Sequence, residues 1–138
     1  MTADTAVLAL HYQNDVLHPE GKIRVGLDAD SGARQRLLDR AAALLAGARA
    51  RALPIVHVRI AFRPDYADLL PNCAIFRNVA TIGAVPEGQW GSAFYDGLQP
   101  LAGSPREFIV KHTRISAFYG TPLEETLRVI GARRLVVA

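Results

Sequence analysis

The sequence predicts an α/β fold with three layers, in which helices cover both faces of a mostly parallel sheet. Short continuous apolar runs, typical of strands buried on both faces, alternate along the chain with segments whose apolar residues recur at helical spacing. Such an alternation favours parallel strands joined by helices. With 138 residues, the chain has the length of one domain, which we expect to span 1–138.

The first strand is predicted at 6–10, where five apolar residues follow one another. The stretch 14–30 is rich in Gly, Pro, Asp and His, and we expect a loop there. Capping residues at 30–31 then predict the start of a helix, which ends near Ala52 because Pro54 opens the next segment. The apolar positions expected to form its buried face are Leu37, Leu38, Ala41, Leu44, Leu45 and Ala48.

A second strand is predicted at 55–60 and a third at 107–111. Between them, 63–105 holds most of the prolines and glycines, together with several aromatic residues. This composition predicts a long excursion with short helical turns. Excursions of this length commonly carry functional residues.

The last predicted helix begins at Thr121, a capping residue, and Glu124 stands where it can complete a capping box. A fourth strand begins at 135–138. Apolar strand residues at this point would leave an unpaired sheet edge, so we expect the sheet to continue in a C-terminal part missing beyond Ala138. The buried stripe of the helix and its end are assigned to Leu123, Leu127, Ile130 and Gly131.

The composition is that of a soluble globular protein, with 50% hydrophobic and 21% charged residues. No apolar run approaches the roughly 20 residues of a membrane helix, and the start of the chain lacks the basic region of a secretory signal. The single cysteine, Cys73, cannot form an internal disulfide. We therefore expect a cytoplasmic protein without a membrane partner.

The net charge of +3 does not predict a nucleic-acid partner, because the basic residues are scattered and do not interleave with aromatic ones. Fourteen of them are Arg, and only Lys22 and Lys111 are Lys. An amine differs chemically from a guanidinium because burial can lower its pKa. This bias in composition singles out Lys111.

Ligands of parallel sheets bind beyond the carboxyl ends of the strands. Here those ends carry His11 and Gln13 after the first strand, Phe62 and Arg63 after the second, and Lys111 after the third. An imidazole with a pKa near 6.5 can act as a general base or as a general acid. The alternatives are a hydrogen-bonded core histidine and a surface lysine.

Three segments, in order and with matching spacing, resemble the isochorismatase-like (cysteine hydrolase) superfamily. They are AVLALHYQNDVLHPEGKI at 6–23, LPIVHVRIAFRPDY at 53–66, and IVKHTRISAFYGTPLEETLRVIGARRLVVA at 109–138. The resemblance implies a Rossmann-like isochorismatase fold. It also implies a catalytic trio: an aspartate after the first strand, a lysine after the third, and a cysteine at the helix start after the fourth.

In this sequence the lysine of the trio corresponds to Lys111, and His11 stands where the family has its aspartate. The cysteine position would lie beyond Ala138, so Cys73 is not the expected nucleophile. The metal-binding Asp-x-His pattern of the nicotinamidase branch is not found after the second strand. We therefore expect no metal and no other cofactor.

The resemblance implies a hydrolase acting on a small amide, carbamate-like or vinyl-ether substrate. Lys111 would stabilise developing negative charge, His11 would act as acid or base, and the two would meet across one cleft. The alternative is a non-catalytic member of the fold that serves as a binding or assembly module. A homo-oligomer is expected in either case, because family members are commonly oligomeric.

Six further residues are candidates for binding the small-molecule substrate. Arg63 can hold a carboxylate through two parallel hydrogen bonds, and the aromatic residues can form an apolar wall. Asp15 is predicted to structure the loop after the first strand by accepting backbone hydrogen bonds, or else to orient His11. The six candidates are Gln13, Phe62, Arg63, Trp90, Phe118 and Tyr119.

Overall fold

The computed structural model describes residues 4–138, in which four strands form one sheet in the order β3-β2-β1-β4. All the pairings between them are parallel. The predicted α/β class and the predicted positions of the strands are confirmed. The strands are β1 (Thr5–Leu10), β2 (Ile55–Ile60), β3 (Glu107–His112) and β4 (Arg134–Val137).

The helices of the described residues are α1 (Asn14–Leu17), α2 (Gly32–Ala50), α3 (Ala74–Ile82) and α4 (Leu123–Ile130). The prediction of an uninterrupted loop at 14–30 is wrong, because α1 forms one helical turn that buries Val16 and Leu17 in the core. Within 4–138, no helix has the length and apolar character needed to cross a bilayer. Two short 3-10 helices, Arg24–Gly26 and Trp90–Ser92, complete the elements.

One face of the sheet is covered by α2, which begins after the predicted capping residue Ser31. Leu38, Ala41 and Leu45 belong to the same buried cluster as the β1 and β2 side chains on this face. Leu37, which we expected to be buried, is 39% exposed. The buried face instead begins at Arg34, whose guanidinium donates hydrogen bonds to three carbonyl oxygens of the preceding loop and one of α1.

The opposite face is covered by α4, whose fully buried Leu123 packs against Val58 and Val110. The predicted N-cap Thr121 lies one residue too early, because Pro122 is the N-cap, although the Thr121 hydroxyl accepts a hydrogen bond from the Leu123 N–H. The capping box is not formed, because Glu124 accepts hydrogen bonds from Arg128 one turn later. Gly131 ends the helix in the left-handed region, with φ 78°.

Candidate functional site

The backbone turns sharply at His11, directly after β1. Its φ of 59° lies in the left-handed region, which is unfavourable for a residue with a Cβ by about 1–2 kcal/mol. Its N–H donates to the Val58 carbonyl and its own carbonyl accepts from the Gln13 N–H. This turn interrupts the strand alternation that began in β1 and directs the imidazole towards the end of β3. Strain of this kind clusters at functional sites.

The imidazole of His11 meets the imidazole of His112, the last residue of β3. The two Nε2 atoms are 2.7 Å apart, and the rings are stacked with their centroids 5.0 Å apart. His112 Nδ1 lies 2.6 Å from the Arg114 carbonyl oxygen, which can only accept, so this nitrogen carries a proton. In a neutral His112, Nε2 is therefore the acceptor and His11 Nε2–H donates to it. The lone pair of a neutral His11 then lies on Nδ1, which has no hydrogen-bond partner within residues 4–138.

Both histidines favour the neutral form. Burial, with a smaller contribution from His112, lowers the pKa of His11 from 6.5 to about 4. Burial also lowers the pKa of His112, although its hydrogen bond to the Arg114 carbonyl opposes this effect. At neutral pH the pair therefore carries no charge and presents one free imidazole lone pair.

Lys111 does not take part in this pair. Consecutive residues of a strand point to opposite faces of the sheet, and His112 shares the face of the buried Val110. Lys111 points to the other face, where its Nζ lies 3.1 Å from Glu87 Oε2. The expected pairing of Lys111 with His11 across one cleft is thus replaced by a His11–His112 pair, because the alternation of β3 directs His112 to the His11 side of the sheet and Lys111 to Glu87. The catalytic role of Lys111 stays a prediction.

Glu87 joins Lys111 to the neighbouring strand, because it also binds Arg59 with an Nη2–Oε1 distance of 3.0 Å. Burial would raise the pKa of Glu87, but the hydrogen bonds from Arg59 and Lys111 outweigh it and lower the pKa. The carboxylate thus offsets part of the charge of Lys111. The cluster of Arg59, Glu87 and Lys111 has a net charge of about +1, from unit charges at neutral pH.

Gln13 is fully buried and holds the end of β2 in place. Its amide nitrogen donates to the Ile60 and Ser92 carbonyls, both at 2.8 Å, and its amide oxygen accepts from the Ile60 N–H at 2.9 Å. Both amide protons are used within the protein. The position is therefore structural here, and a substrate contact by Gln13 stays a prediction.

The aromatic residues predicted to line one pocket are found in separate places. Phe62 is fully buried, because the backbone after β2 pairs with residues 85–87 and draws the ring into a core cluster with Phe76. Trp90 is half-exposed in one surface cleft, whereas Tyr119 lines another. Phe118 is also half-exposed. The expectation of a single aromatic wall is therefore wrong.

Arg63 lies on the surface, where Asp65 occupies its guanidinium. Its Nε and Nη2 donate to the two carboxylate oxygens of Asp65, at 3.0 and 2.6 Å. The two N–H groups of Arg63 that would bind a substrate carboxylate therefore already bind the carboxylate of Asp65. Within residues 4–138, no group of three or more His, Cys, Asp or Glu side chains is placed to hold a metal ion.

His112 is the functional candidate that sequence reasoning missed, since the third strand was predicted to end at Lys111. One signal was available: His112 lies two residues after Val110, and a period of two places both on the same face of a strand. Cys73, for its part, stands directly before α3 and packs against the core cluster that contains Phe62.

Comparisons with known proteins agree with this architecture. The family model described as the isochorismatase domain matches residues 5–138. Ureidoacrylate amidohydrolase RutB of Methylorubrum extorquens is 30% identical over 97% of this chain, and that of Methylobacterium radiotolerans is 31% identical over 97%. The chain spans 58% and 55% of the lengths of these two relatives.

Among solved structures, an isochorismatase family protein from Desulfovibrio vulgaris superposes with a TM-score of 0.75 at 28% identity. The alignment covers 98% of this chain and 67% of that one. The matches in sequence and in structure both extend over nearly all of the chain, including the ends of β1 and β3 that carry the histidine pair. The protein therefore belongs to the isochorismatase family.

Proposed function

We propose that the protein is a hydrolase of small amide or carbamate-like substrates in which His11 is the general base and His112 orients it. The observation that carries this proposal is the His11–His112 hydrogen bond at the carboxyl end of the sheet. His11 stands where the family resemblance implies an aspartate, and His112 directly follows Lys111, which corresponds to the lysine of the family. The names of the curated relatives, amidohydrolases for ureidoacrylate, support the same substrate class.

The low pKa of His11 explains how an imidazole can stand in for a carboxylate. A pKa of about 4 is close to the ordinary value of an aspartate, about 3.9. The two groups therefore take up a proton with similar affinity, although the unprotonated histidine is neutral. In the proposed reaction, Nδ1 of His11 takes a proton from the attacking water as the water oxygen bonds to the carbonyl carbon, and the same proton passes to the amine nitrogen as the C–N bond breaks.

The lowered pKa of His11 also favours substrates whose hydrolysis needs a base over substrates that need an acid. A vinyl ether requires an acid, but with a pKa of about 4 only about one His11 in a thousand is protonated at pH 7. A base is available at all times under the same conditions. The site therefore suits amides and carbamate-like compounds, including ureido acids, better than vinyl ethers.

The test is hydrolysis of a panel of small amides, N-carbamoyl amino acids and isochorismate by the wild type, three variants and one control variant. His11→Asn suits the left-handed backbone, which Asn tolerates, and is expected to lower kcat at least about 100-fold. His112→Asn is expected to lower kcat about 10-fold, because it loosens the orientation of His11. Lys111→Ala is expected to stay within about threefold of the wild type, with Lys22→Ala as the matched control.

The pH profile supplies a second readout. Because the base must be unprotonated, kcat/KM is expected to rise as the pH increases through about 4 and then to level off. A loss in Lys111→Ala as large as in His11→Asn would return the catalytic assignment to the lysine. A folded wild type that is inert on the whole panel would favour the alternative, a binding or assembly module.

A further inference from the structure

A surface cleft of about 440 Å³ lies between the end of α1 and the segment around the second 3-10 helix. It shares no lining residue with the histidine pair and is not used in the proposed reaction. Its volume falls within the range of small-molecule sites, roughly 300–1,000 Å³. The residues that line it are Asn14, His18, Trp90, Phe94, Tyr95 and Asp96.

The backbone that forms the walls of this cleft is held firmly. The side-chain amide of Asn14 donates to the Trp90 carbonyl at 2.9 Å, and its backbone N–H donates to the Ala93 carbonyl at 2.9 Å. The Tyr95 N–H donates to the Tyr12 carbonyl at 2.8 Å. A ligand would therefore meet walls that are already ordered, which reduces the entropy lost on binding.

Trp90 is the largest aromatic side chain that lines the cleft. It is 50% exposed, which leaves a large apolar and polarisable surface in contact with solvent. The His18 and Trp90 rings form a T-shaped pair with centroids 5.0 Å apart, and the His18 ring lies 5.9 Å from the Tyr95 ring, so the three rings form a connected wall. Among aromatic side chains, Trp has the strongest attraction for a cation over its face.

The charge of the cleft has the opposite sign to that of the protein. The chain has 16 Lys and Arg residues and a net charge of +3, yet none of the basic residues lines the cleft. Asp96 is the carboxylate in the lining, and within the described part of the chain it forms neither an ion pair nor a side-chain hydrogen bond. His18 Nδ1 accepts from the Glu20 N–H, so the neutral ring carries its proton on Nε2.

We propose that this cleft binds a small organic cation, an alkylated ammonium group, by cation–π contact with Trp90 and by ion pairing with Asp96. Aromatic walls together with one carboxylate are the chemistry that recognises such groups. Asp96 would repel an anionic ligand, because no Lys or Arg of residues 4–138 lines the cleft to offset the repulsion. A neutral apolar ligand would form no ion pair with the Asp96 carboxylate.

Trp90 is the only tryptophan in the chain, so its fluorescence reports on this cleft directly. The experiment titrates the protein with choline chloride at constant ionic strength, and in parallel with 3,3-dimethyl-1-butanol, the uncharged analogue of the same shape. We expect a saturable fluorescence change with choline and an affinity at least about fivefold lower for the alcohol, a ratio that corresponds to about 1 kcal/mol.

Two variants make the test specific. Asp96→Asn removes the charge at an exposed position and is expected to weaken choline binding about fivefold or more. The matched control, Asp30→Asn, changes another exposed carboxylate outside the cleft and is expected to bind like the wild type. Equal binding of choline and the alcohol, wild-type affinity in Asp96→Asn, or the absence of any saturable change would each overturn the proposal. None of these outcomes depends on hydrolytic activity.

Discussion

The carboxylate of Asp15, in the helical turn α1 that follows the candidate base His11, is buried, and a buried charge is costly unless it is fully hydrogen-bonded. One oxygen accepts from the Val85 N–H at 2.7 Å and the other from the Lys22 N–H at 3.1 Å. These bonds connect the loop after β1 with the long excursion between β2 and β3. The prediction that Asp15 structures this loop by accepting backbone hydrogen bonds is confirmed.

Gly91 lies against this carboxylate, and a Cβ at that position would overlap it. Gly91→Ala is therefore expected to lower the free energy of unfolding by about 1–3 kcal/mol. The double variant Asp15→Ala/Gly91→Ala no longer has this overlap. The loss of unfolding free energy in the double variant should therefore be smaller than the sum of the losses in the two single variants. Urea unfolding of the four proteins in this cycle measures the coupling.

Gly32→Ala is the control, because a Cβ on Gly32 meets no atom within 4 Å and the residue lies at the start of α2. We expect it to unfold like the wild type or to be slightly more stable. Strictly additive losses for Asp15→Ala and Gly91→Ala would contradict the proposed contact between the two positions.

At the scale of elements, α4 stabilises the fold through one side of the helix. Leu123 is fully buried between the helix and the sheet, whereas Val129 on the same helix is 80% exposed. Partial burial of Leu127 and Ile130 agrees with the stripe predicted from the sequence. The helical period was therefore enough to find this face, because it depends only on residues within two turns.

Leu123→Ala is expected to lower the free energy of unfolding by about 2–5 kcal/mol, since it leaves a cavity at the centre of a packed cluster. Val129→Ala serves as the matched control on the same helix and should change stability by less than about 0.5 kcal/mol. Denaturant unfolding followed by circular dichroism compares the two. Similar losses in both variants would mean that α4 does not pack in this orientation.

For the whole molecule, the histidines couple stability to pH. The pKa values of His11, His57 and His112 are all lowered by burial, and that of His11 reaches about 4. His57 is fully buried, and its Nε2 lies 2.7 Å from a Glu107 oxygen, which only partly opposes the effect of burial. In each case the folded state binds a proton less readily than the unfolded state does.

Stability is therefore expected to fall as the pH decreases. Below pH 6.5 an unfolded histidine binds a proton, whereas folded His11 binds one only near pH 4, so the loss begins at 6.5 and levels off below about 4. For His11 alone the loss between pH 8 and pH 5 is about 2 kcal/mol. Urea unfolding at several pH values should show that His11→Asn loses less unfolding free energy between pH 8 and pH 5 than the wild type does. Each protein is compared with its own value at pH 8, which removes the effects of the substitution that do not depend on pH.

An equal pH dependence in wild type and variant would contradict the burial of the His11 imidazole. The comparison is limited to pH values above 5, because at lower pH the protonation of Glu107 also changes the stability. Burial would raise its pKa, but hydrogen bonds from Arg49 and His57 outweigh burial and lower the pKa from 4.5 to about 2. The stability contributed by Glu107 is present above pH 4.5 and is lost as the pH falls towards 2.

By itself, the sequence determined the α/β class, the positions of the four strands and the buried face of α4, because these follow from periodic patterns over a few neighbouring residues. The sequence also predicted that His11 lies at the carboxyl end of the sheet. Only the tertiary structure decided that His112, and not Lys111, meets His11. That choice depends on the register of β3 and on the left-handed turn at His11, and both are set by pairing between segments about one hundred residues apart.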